Sequence, residues 1–518
     1  MMTITELQQR YAAHPNVEAM SGLLKNPSVR TLFCGGLCAS AASLFSSVLV
    51  QRGEFPFVFI LGDLEEAGYF YHDLTQVLGT DKVLFFPSSF RRAIKYGQKD
   101  AANEILRTEV LSRLQKGEEG LCVVTYPDAL AEKVVSRKEL GDKTLKLHSG
   151  ENVDTNFIME VLRSYGFEYV DYVYEPGQYA VRGSIIDVFS FSSEFPYRID
   201  FFGDEVESIR TFEVETQLSK EKKDSIVIVP DLSRSLEQGG ASGMVSFLDF
   251  LSADTVLAMR DLLWLRERIQ TVHDETLTPQ AIAAREAEES GCITLDGKLI
   301  DGSEFTLRAL DFRRMEFGNK PTGTPDATIT FDTSAQPIFR KNFDMVAESF
   351  KEYMEKGYAL YICSDSMKQT DRIRAIFEDR GDQIAFTAVE RTLHEGFADN
   401  ALRLCIFTDH QLFDRFHKYN LKSDKARSGK VALSLKELNQ FTPGDYVVHT
   451  DHGVGRFSGL VRIPNGDTTQ EVMKLVYQNE DVVFVSIHSL HKVSKYKGKD
   501  GEAPRLNKLG TGAWEKLK

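Results

Sequence analysis

The sequence predicts a multidomain α/β protein with an inserted antiparallel-sheet α+β domain and a C-terminal small β-barrel. Buried-type strands alternate with helical segments through residues 1–143 and 229–413, which is typical of doubly wound parallel sheets. Residues 144–228 replace that alternation with short period-two runs separated by Gly, Pro and Ser turns, as in an antiparallel sheet. Residues 441–513 contain several short strand-like runs between glycine turns, which favours a small CarD/Tudor-like barrel.

Composition limits the classes of function. A chain of 518 residues is too long for one core, so we expect several domains. A net charge of −14 argues against a protein that binds nucleic acid over its whole surface. Six scattered cysteines need no disulfide framework, and no segment looks like a signal peptide or a membrane span. We therefore expect a cytoplasmic protein with no membrane partner.

Residues 1–143 begin with a strand, a small-residue turn and a helix, the order found in nucleotide-binding α/β domains. A working phosphate loop needs glycines, whose amides surround the phosphates, and a lysine that reaches the outer phosphates. Here Ala42 stands at the lysine position, and Ala39 and Ala41 replace glycines. We expect no nucleotide hydrolysis at this turn and at most weak anion binding at the helix N-terminus. The degenerate loop comprises Gly36, Ala39, Ala41, Ala42 and Ser43.

The strand at residues 197–202 has an unusual pattern. Its period of two puts Tyr197, Ile199 and Phe201 on a core-like face and Arg198, Asp200 and Phe202 on the other face. An aromatic ring among charges, with Arg182 near a turn of the same sheet, is typical of a binding hot spot. The alternative is that Phe202 packs under a loop and that the arginines pair with nearby acids. Periodicity alone does not separate these two interpretations.

The remaining segments have less distinctive chemistry. Residues 229–340 resume the α/β pattern, with a turn-rich stretch at 318–334, and residues 341–413 predict a further α/β domain of unknown role. Residues 414–440 are rich in Lys and Arg and predict a basic linker. The histidine pairs 449/452 and 488/491 lack the cysteines and carboxylates of a zinc site, so no metal is expected.

Two long motifs resemble known families. YEPGQYAVRGSIIDVFSFSSEFPYRIDFFGDEVESIRTF, at 174–212, is similar to the second domain of the repair helicase UvrB. FTPGDYVVHTDHGVGRFSGL, at 441–460, and KLVYQNEDVVFVSIHSL, at 474–490, resemble the CarD-like domain that interacts with RNA polymerase. Their combination in this order resembles the N-terminal half of the bacterial transcription-repair coupling factors, the Mfd family.

The resemblance implies a domain order and two partners. The domains would be UvrB-like domain 1a (1–143), UvrB-like domain 2 (144–228), UvrB-like domain 1b (229–340), the α/β domain at 341–413, the linker, the polymerase-interacting domain (441–513) and the start of a connecting helix (514–518). Arg182, Arg198 and Phe202 fall on positions that bind the repair protein UvrA. The barrel would bind the RNA polymerase β subunit through an edge strand, for which the candidates are Leu460, Val461, Arg462 and Ile463.

The departures from that family also carry expectations. Residues 85–101 leave little room for the aromatic hairpin with which UvrB probes damaged DNA. No second phosphate loop occurs, so this chain is expected to be a non-enzymatic scaffold without cofactors. ATP, magnesium and most contacts to double-stranded DNA would belong to a C-terminal translocase that is absent here. The alternatives are a UvrB-like ATPase or helicase, and a CarD-like transcription regulator without a repair role.

Overall fold

The computed structural model describes residues 2–89, 101–214, 217–230, 232, 243–276, 297–417, 419, 443–449, 451–465, 468–486, 493–496, 504 and 506–508. The chain divides into two compact units. Unit 1 contains residues 1–144 and 229–421, and unit 2 contains residues 145–228 and 422–518. Residues 277–296 and most of the basic linker lie outside the described residues.

Strands and helices follow one another along the whole described chain. The strands of the first half are β1 (Met2–Thr3), β2 (Thr31–Gly35), β3 (Phe57–Ile60), β4 (Val83–Phe86), β5 (Cys122–Thr125), β6 (Val134–Val135), β7 (Leu145–His148), β8 (Glu168–Tyr169), β9 (Gln178–Arg182), β10 (Ile185–Val188), β11 (Tyr197–Phe202), β12 (Glu205–Phe212), β13 (Ser219–Lys223) and β14 (Ser225–Ile228). Those of the second half are β15 (Met244–Val245), β16 (Val256–Met259), β17 (Arg313–Gly318), β18 (Ala327–Thr330), β19 (Thr333–Ala335), β20 (Ala359–Ser364), β21 (Thr387–Glu390), β22 (Phe397–Asp399), β23 (Leu404–Thr408), β24 (Tyr446–His449), β25 (Gly453–Asn465), β26 (Thr468–Val476), β27 (Val482–Ser486) and β28 (Val493–Lys495). The described α-helices are α1 (Ile4–Ala12), α2 (Pro15–Lys25), α3 (Ala41–Arg52), α4 (Leu64–Leu78), α5 (Ala101–Lys116), α6 (Pro127–Leu130), α7 (Arg137–Asp142), α8 (Thr155–Ser164), α9 (Leu262–Thr276), α10 (Gly302–Ala309), α11 (Phe343–Glu355), α12 (Met367–Asp379) and α13 (Asp409–Leu412).

A seven-stranded parallel sheet forms the centre of the first α/β domain. Its order is β18-β2-β17-β16-β3-β5-β4, so strands from both sides of the inserted sheet join one layer. Strands β3 and β16 read as continuous apolar runs and are buried on both faces, because helices cover a parallel sheet on both sides. The stretch at 318–334, which we predicted to be turn-rich, contributes β18 and the start of β19.

A second, mixed sheet forms the other α/β domain of unit 1. Its order is β1-β21-β20-β23-β22-β19, in which β22 alone runs opposite to the other five strands. This sheet extends beyond the predicted range of 341–413, because it takes β1 from the start of the chain and β19 from 333–335. Two residues carry too little periodicity to predict a strand such as β1, and its pairing with β21 is a long-range contact.

Within unit 2, residues 145–228 form an antiparallel sheet with one covering helix. The order is β13-β12-β11-β10-β9-β8, and β8 is parallel to β9. One face packs against α8 through Ile158 and Leu162, which are both buried. Ile199 and Phe201 lie in this core, as their period-two positions predict. The opposite face therefore carries the arginine and aromatic positions of the strand at 197–202.

The C-terminal part of unit 2 contains a five-stranded antiparallel sheet. Its order is β27-β26-β25-β24-β28. Strand β25 pairs with β24 only as far as Arg456, whereas its pairing with β26 continues to Asn465. The end of the β25–β26 hairpin therefore extends past β24. A register shift follows Phe457, where Gly459 has a φ of 103°.

In the part of the chain that the structure describes, no helix is both long and apolar enough to cross a membrane.

Candidate protein-docking site

The face of the inserted sheet opposite α8 carries a group of charged side chains, and we call it the charged face. Cross-strand register places Asp187 of β10 beside Arg198 of β11, and Arg198 beside Arg210 of β12. Residues directly opposite in an antiparallel pair share a face, so these three side chains form a row across the sheet. The charged face comprises Arg182, Asp187, Arg198, Asp200, Phe202 and Arg210.

Asp187 and Arg198 form a two-pronged ion pair at the centre of the charged face. Arg198 Nε donates to Asp187 Oδ1 and Arg198 Nη2 donates to Asp187 Oδ2, both at 2.8 Å. The other arm of Arg198 donates to the carbonyl of Gln217 at 3.1 Å, and the guanidinium lies 4.4 Å from the centre of the Phe212 ring. The hydrogen bond to Asp187 raises the pKa of Arg198. Because Asp187, the Gln217 carbonyl and the Phe212 ring all contact the planar guanidinium, they hold it in one orientation.

Arg182 binds the same carboxylate from the neighbouring strand. Its Nη2 donates to Asp187 Oδ2, and its Nη1 donates to the carbonyl of Asp171 at 3.4 Å. The Tyr172 ring lies under the guanidinium, 4.9 Å from its carbon. Arg182 is 33% exposed and Arg198 is 15% exposed, so Arg182 is the more accessible of the two arginines that share this acid.

The side chain of Phe202 is mostly exposed to solvent. It is 79% exposed and lies at the end of β11, opposite Glu205 of β12. Each of the two interpretations of this strand describes part of the structure: the arginines do pair with a local acid, and Phe202 does not pack under a loop. An exposed aromatic ring beside fixed arginines is the composition of a protein-binding hot spot.

A second ion pair lies next to the first. Arg210 Nη2 donates to Asp200 Oδ2, and Ser208 Oγ donates to the same oxygen at 3.0 Å. Asp187 thus lies between two cations that would repel one another across adjacent strands, whereas Asp200 pairs with Arg210 alone among the described ion pairs. Among the described ion pairs of this face, the acids are less exposed than the arginines.

Sequence reasoning missed Asp187. Its position in Ile-Ile-Asp-Val has the phase of the charged face, because Ile186 and Val188 point into the core. That phase was a usable signal. The sequence did not show which residues bond to Asp187, because the register between β9, β10 and β11 depends on the turns that join them.

The predicted polymerase-binding strand lies in β25, which is not an edge strand in the sheet order. Leu460 and Val461 pair with Met473 and Val472 of β26. On the other side, the described pairing with β24 stops before Leu460, so the strand is open there within the described residues. Leu460 is 38% exposed. The backbone at Arg462 and Ile463 continues the strand.

The degenerate loop between β2 and α3 is closed by its own chain. Gly36 has a φ of 81°, and a Cβ atom there would lie 2.0 Å from the carbonyl oxygen of Phe331. Thr333 Oγ1 donates to the carbonyl of Gly36 at 2.6 Å and accepts from the amide of Cys38 at 3.1 Å. An amide that would face a phosphate in a working loop is therefore already bonded.

The first turn of α3 is also occupied. Ser40 Oγ accepts from the amide of Glu395 at 2.9 Å, and Ser43 Oγ donates to Asp73 Oδ2 at 2.7 Å. Asp73 also accepts from the amide of His394 at 2.7 Å. Ala42 lies in the same turn of α3, and the amide of Glu395 is bonded to Ser40 at the start of the helix.

Comparison with known domain families assigns two segments. Residues 145–233 match the family of the UvrB interaction domain, and residues 441–497 match the CarD-like/TRCF RID domain. The chain thus carries one segment that matches each of these two domain families.

The chain is similar to transcription-repair-coupling factors along most of its length. It is 24% identical over 550 residues to that of Staphylococcus aureus (strain bovine RF122 / ET3-1) and 22% identical over 555 residues to that of Bacillus subtilis (strain 168). Each alignment covers 93% of this chain and 46% of the relative. The chain therefore spans about half the length of the curated relatives it matches.

Proposed function

We propose that this chain is an interaction scaffold for transcription-coupled DNA repair, which recruits UvrA to stalled RNA polymerase. The charged face of residues 145–228 would bind UvrA, and the five-stranded sheet of residues 441–513, closed as a small barrel, would bind the polymerase β subunit. The single observation that carries the proposal is the exposed Phe202 beside two arginines on one acid, within a segment that matches the UvrB interaction domain. The longer relatives would add an ATP-dependent DNA translocase that displaces the polymerase.

The geometry supports protein recognition at the charged face. Within the described contacts, Arg182 uses two N–H groups of the five that an arginine carries, so donors remain for acidic groups of a partner. Phe202 supplies apolar area that a partner would remove from water. Arginine and aromatic side chains together account for many interface hot spots.

The proposal is tested with the double variant Arg198→Ala/Phe202→Ala and purified UvrA in isothermal titration calorimetry. We expect a loss of at least about 2 kcal/mol in binding free energy, the size of a hot-spot loss, with polymerase binding unchanged. Phe416→Ala is the matched control, because Phe416 is an 82% exposed phenylalanine of unit 1. Unaltered UvrA affinity in the double variant would refute the assignment of the charged face.

We infer that the degenerate loop supports the fold and binds no nucleotide. The buried first turn of α3 and the bonded amide of Cys38 favour this function over the alternative of a UvrB-like ATPase. ATP and magnesium would serve the translocase of the longer relatives, which would also make most contacts to double-stranded DNA. The segment at 145–233 favours a repair role over a purely CarD-like transcription regulator.

A further inference from the structure

The carboxylate of Asp187 is the part of the charged face that the proposed function leaves unused. It is 1% exposed, so it cannot itself contact a partner. It nevertheless accepts hydrogen bonds from both Arg182 and Arg198, two residues that lie on different strands. The side chain therefore connects the two arginines of the proposed docking site without belonging to its surface.

Electrostatics explains what such a connection does. Two guanidinium groups that approach the same point repel one another unless an anion lies between them. A buried carboxylate is stable only when it is paired and hydrogen-bonded, so its presence in turn requires both arginines. Each arginine would otherwise sample several rotamers, whose entropy a partner would have to remove on binding.

We propose that Asp187 is a positioning residue, which fixes the Arg182 and Arg198 guanidiniums in one arrangement that a partner reads with its own carboxylates. The inference rests on the proposed function of the charged face. It adds the kind of surface that fits this face: an acidic segment with an apolar recess for Phe202. Asp187 acts only through the arginines, because it is 1% exposed and a partner would contact the arginine side chains instead of the acid.

The neighbouring ion pair provides a matched control. Asp200 lies on the same face and also pairs with one arginine, Arg210, on an adjacent strand. It makes no described hydrogen bond to Arg182 or Arg198. Removing the charge of Asp200 therefore changes the net charge of the face by the same amount and leaves the arrangement around Asp187 in place.

The test measures UvrA affinity of Asp187→Asn and Asp200→Asn by calorimetry. We expect about 10-fold weaker binding for Asp187→Asn, equal to about 1.4 kcal/mol, and less than about a 2-fold change for Asp200→Asn. In a chain that already carries Arg182→Ala/Arg198→Ala, Asp187→Asn should cause no further change, because its effect passes through the arginines. A merely structural role would lower affinity in both backgrounds.

A second variant covers the case in which Asp187→Asn fails to fold, as judged by circular dichroism and polymerase binding. Arg198→Lys keeps the charge but loses the fork, so we expect a loss similar to that of Asp187→Asn. Wild-type or tighter UvrA binding by Asp187→Asn or by Arg198→Lys would overturn the inference. If Arg198→Ala/Phe202→Ala binds UvrA normally, the proposed function itself fails, and the two failures are thereby distinguished.

Discussion

At the scale of single residues, the charged face and the degenerate loop have opposite relations to solvent. Phe202 is 79% exposed and adds apolar area to a face that otherwise carries ion pairs. Ser40 and Ser43 are buried where a phosphate loop would be open. The exposure of Phe202 and the burial of Ser40 and Ser43 are therefore not consequences of strand or helix geometry alone.

Gly36 provides a prediction at this scale. Gly36→Ala combines a left-handed backbone with a Cβ atom at 2.0 Å from the Phe331 carbonyl oxygen, so the chain must shift. We expect a loss of at least about 2 kcal/mol in unfolding free energy, measured by urea denaturation of unit 1.

The control for Gly36→Ala is Gly53→Ala. Gly53 also has a positive φ, of 66°, but nothing lies within 4 Å of the added Cβ atom. This variant should cost only about 1 kcal/mol, the intrinsic penalty of the left-handed conformation. Equal losses in the two variants would show that contact with Phe331 is not the cause.

At the scale of elements, the β25–β26 hairpin decides how the CarD-like sheet can pair with another chain. Interior strands are protected on both sides, whereas β25 continues past the end of β24. A partner strand could therefore add to β25 at Leu460–Ile463 without displacing β24. Strand β27 is one of the two end strands of this sheet, exposes Phe484, and is the competing surface.

Leu460→Arg and Phe484→Ala separate these two surfaces. We expect Leu460→Arg to weaken binding of the polymerase β subunit by about 10-fold or more, because a charge replaces an apolar contact. Phe484→Ala should leave that affinity within about 2-fold. The measurement is surface plasmon resonance with the purified β subunit, and the reverse pattern would assign the contact to β27.

The N-terminal strand is an element that local pattern does not reveal. Thr3 caps α1 through a capping box with Glu6, and the two residues of β1 extend the mixed sheet at β21. Helix α1 then packs on α3 and α4 of the first α/β domain. One short segment thus ties both α/β domains of unit 1 together.

At the scale of the whole of unit 1, a cluster of histidines joins the two α/β domains. His72 of α4 contacts His417, which stacks on His410 with ring centres 4.3 Å apart. His394 stacks on Tyr69 with ring centres 3.5 Å apart. Burial and the neighbouring histidines lower the pKa values of His72, His394 and His417 to about 4.

This cluster predicts acid sensitivity of unit 1. A histidine whose folded pKa lies below 6.5 stabilises the fold above that pH and loses this contribution as the pH falls toward 4. Between pH 7 and pH 5 we expect the free energy of unfolding to fall by about 2 kcal/mol from the buried His72, and by less from each of the partly exposed His394 and His417, measured by urea unfolding. His417→Phe keeps the ring and should remove one such share of the loss.

Asp73 has the opposite effect on the pH dependence of stability, and its substitution is the control for the histidines. Burial raises its pKa to about 6, so its contribution is present at low pH and is lost as the pH rises toward 6. Three histidines outweigh one carboxylate, and stability should fall on acidification. Asp73→Asn should steepen that fall, and a variant with a shallower fall would contradict the assignment.

Local pattern predicted much of the secondary structure. The strand at 57–60 is a short apolar run, and the helices at 64–78 and 343–355 are amphipathic over their full length. Such patterns are visible in the local sequence without knowledge of distant contacts. Strands β19, β21 and β22 were missed, because three or four residues in a loop-like composition acquire strand geometry only by joining a sheet.

The sequence by itself determined which side of β11 faces the core and that Phe202 and Arg198 share the other side. These are statements about residues near one another in the chain, where a period of two or a fixed spacing is sufficient. Only the tertiary structure decided that Asp187 holds both arginines, that β25 extends past β24, and that residues 394–395 cover the start of α3. Each of these depends on strand register or on contact between distant segments, which packing of the whole chain fixes and local pattern does not.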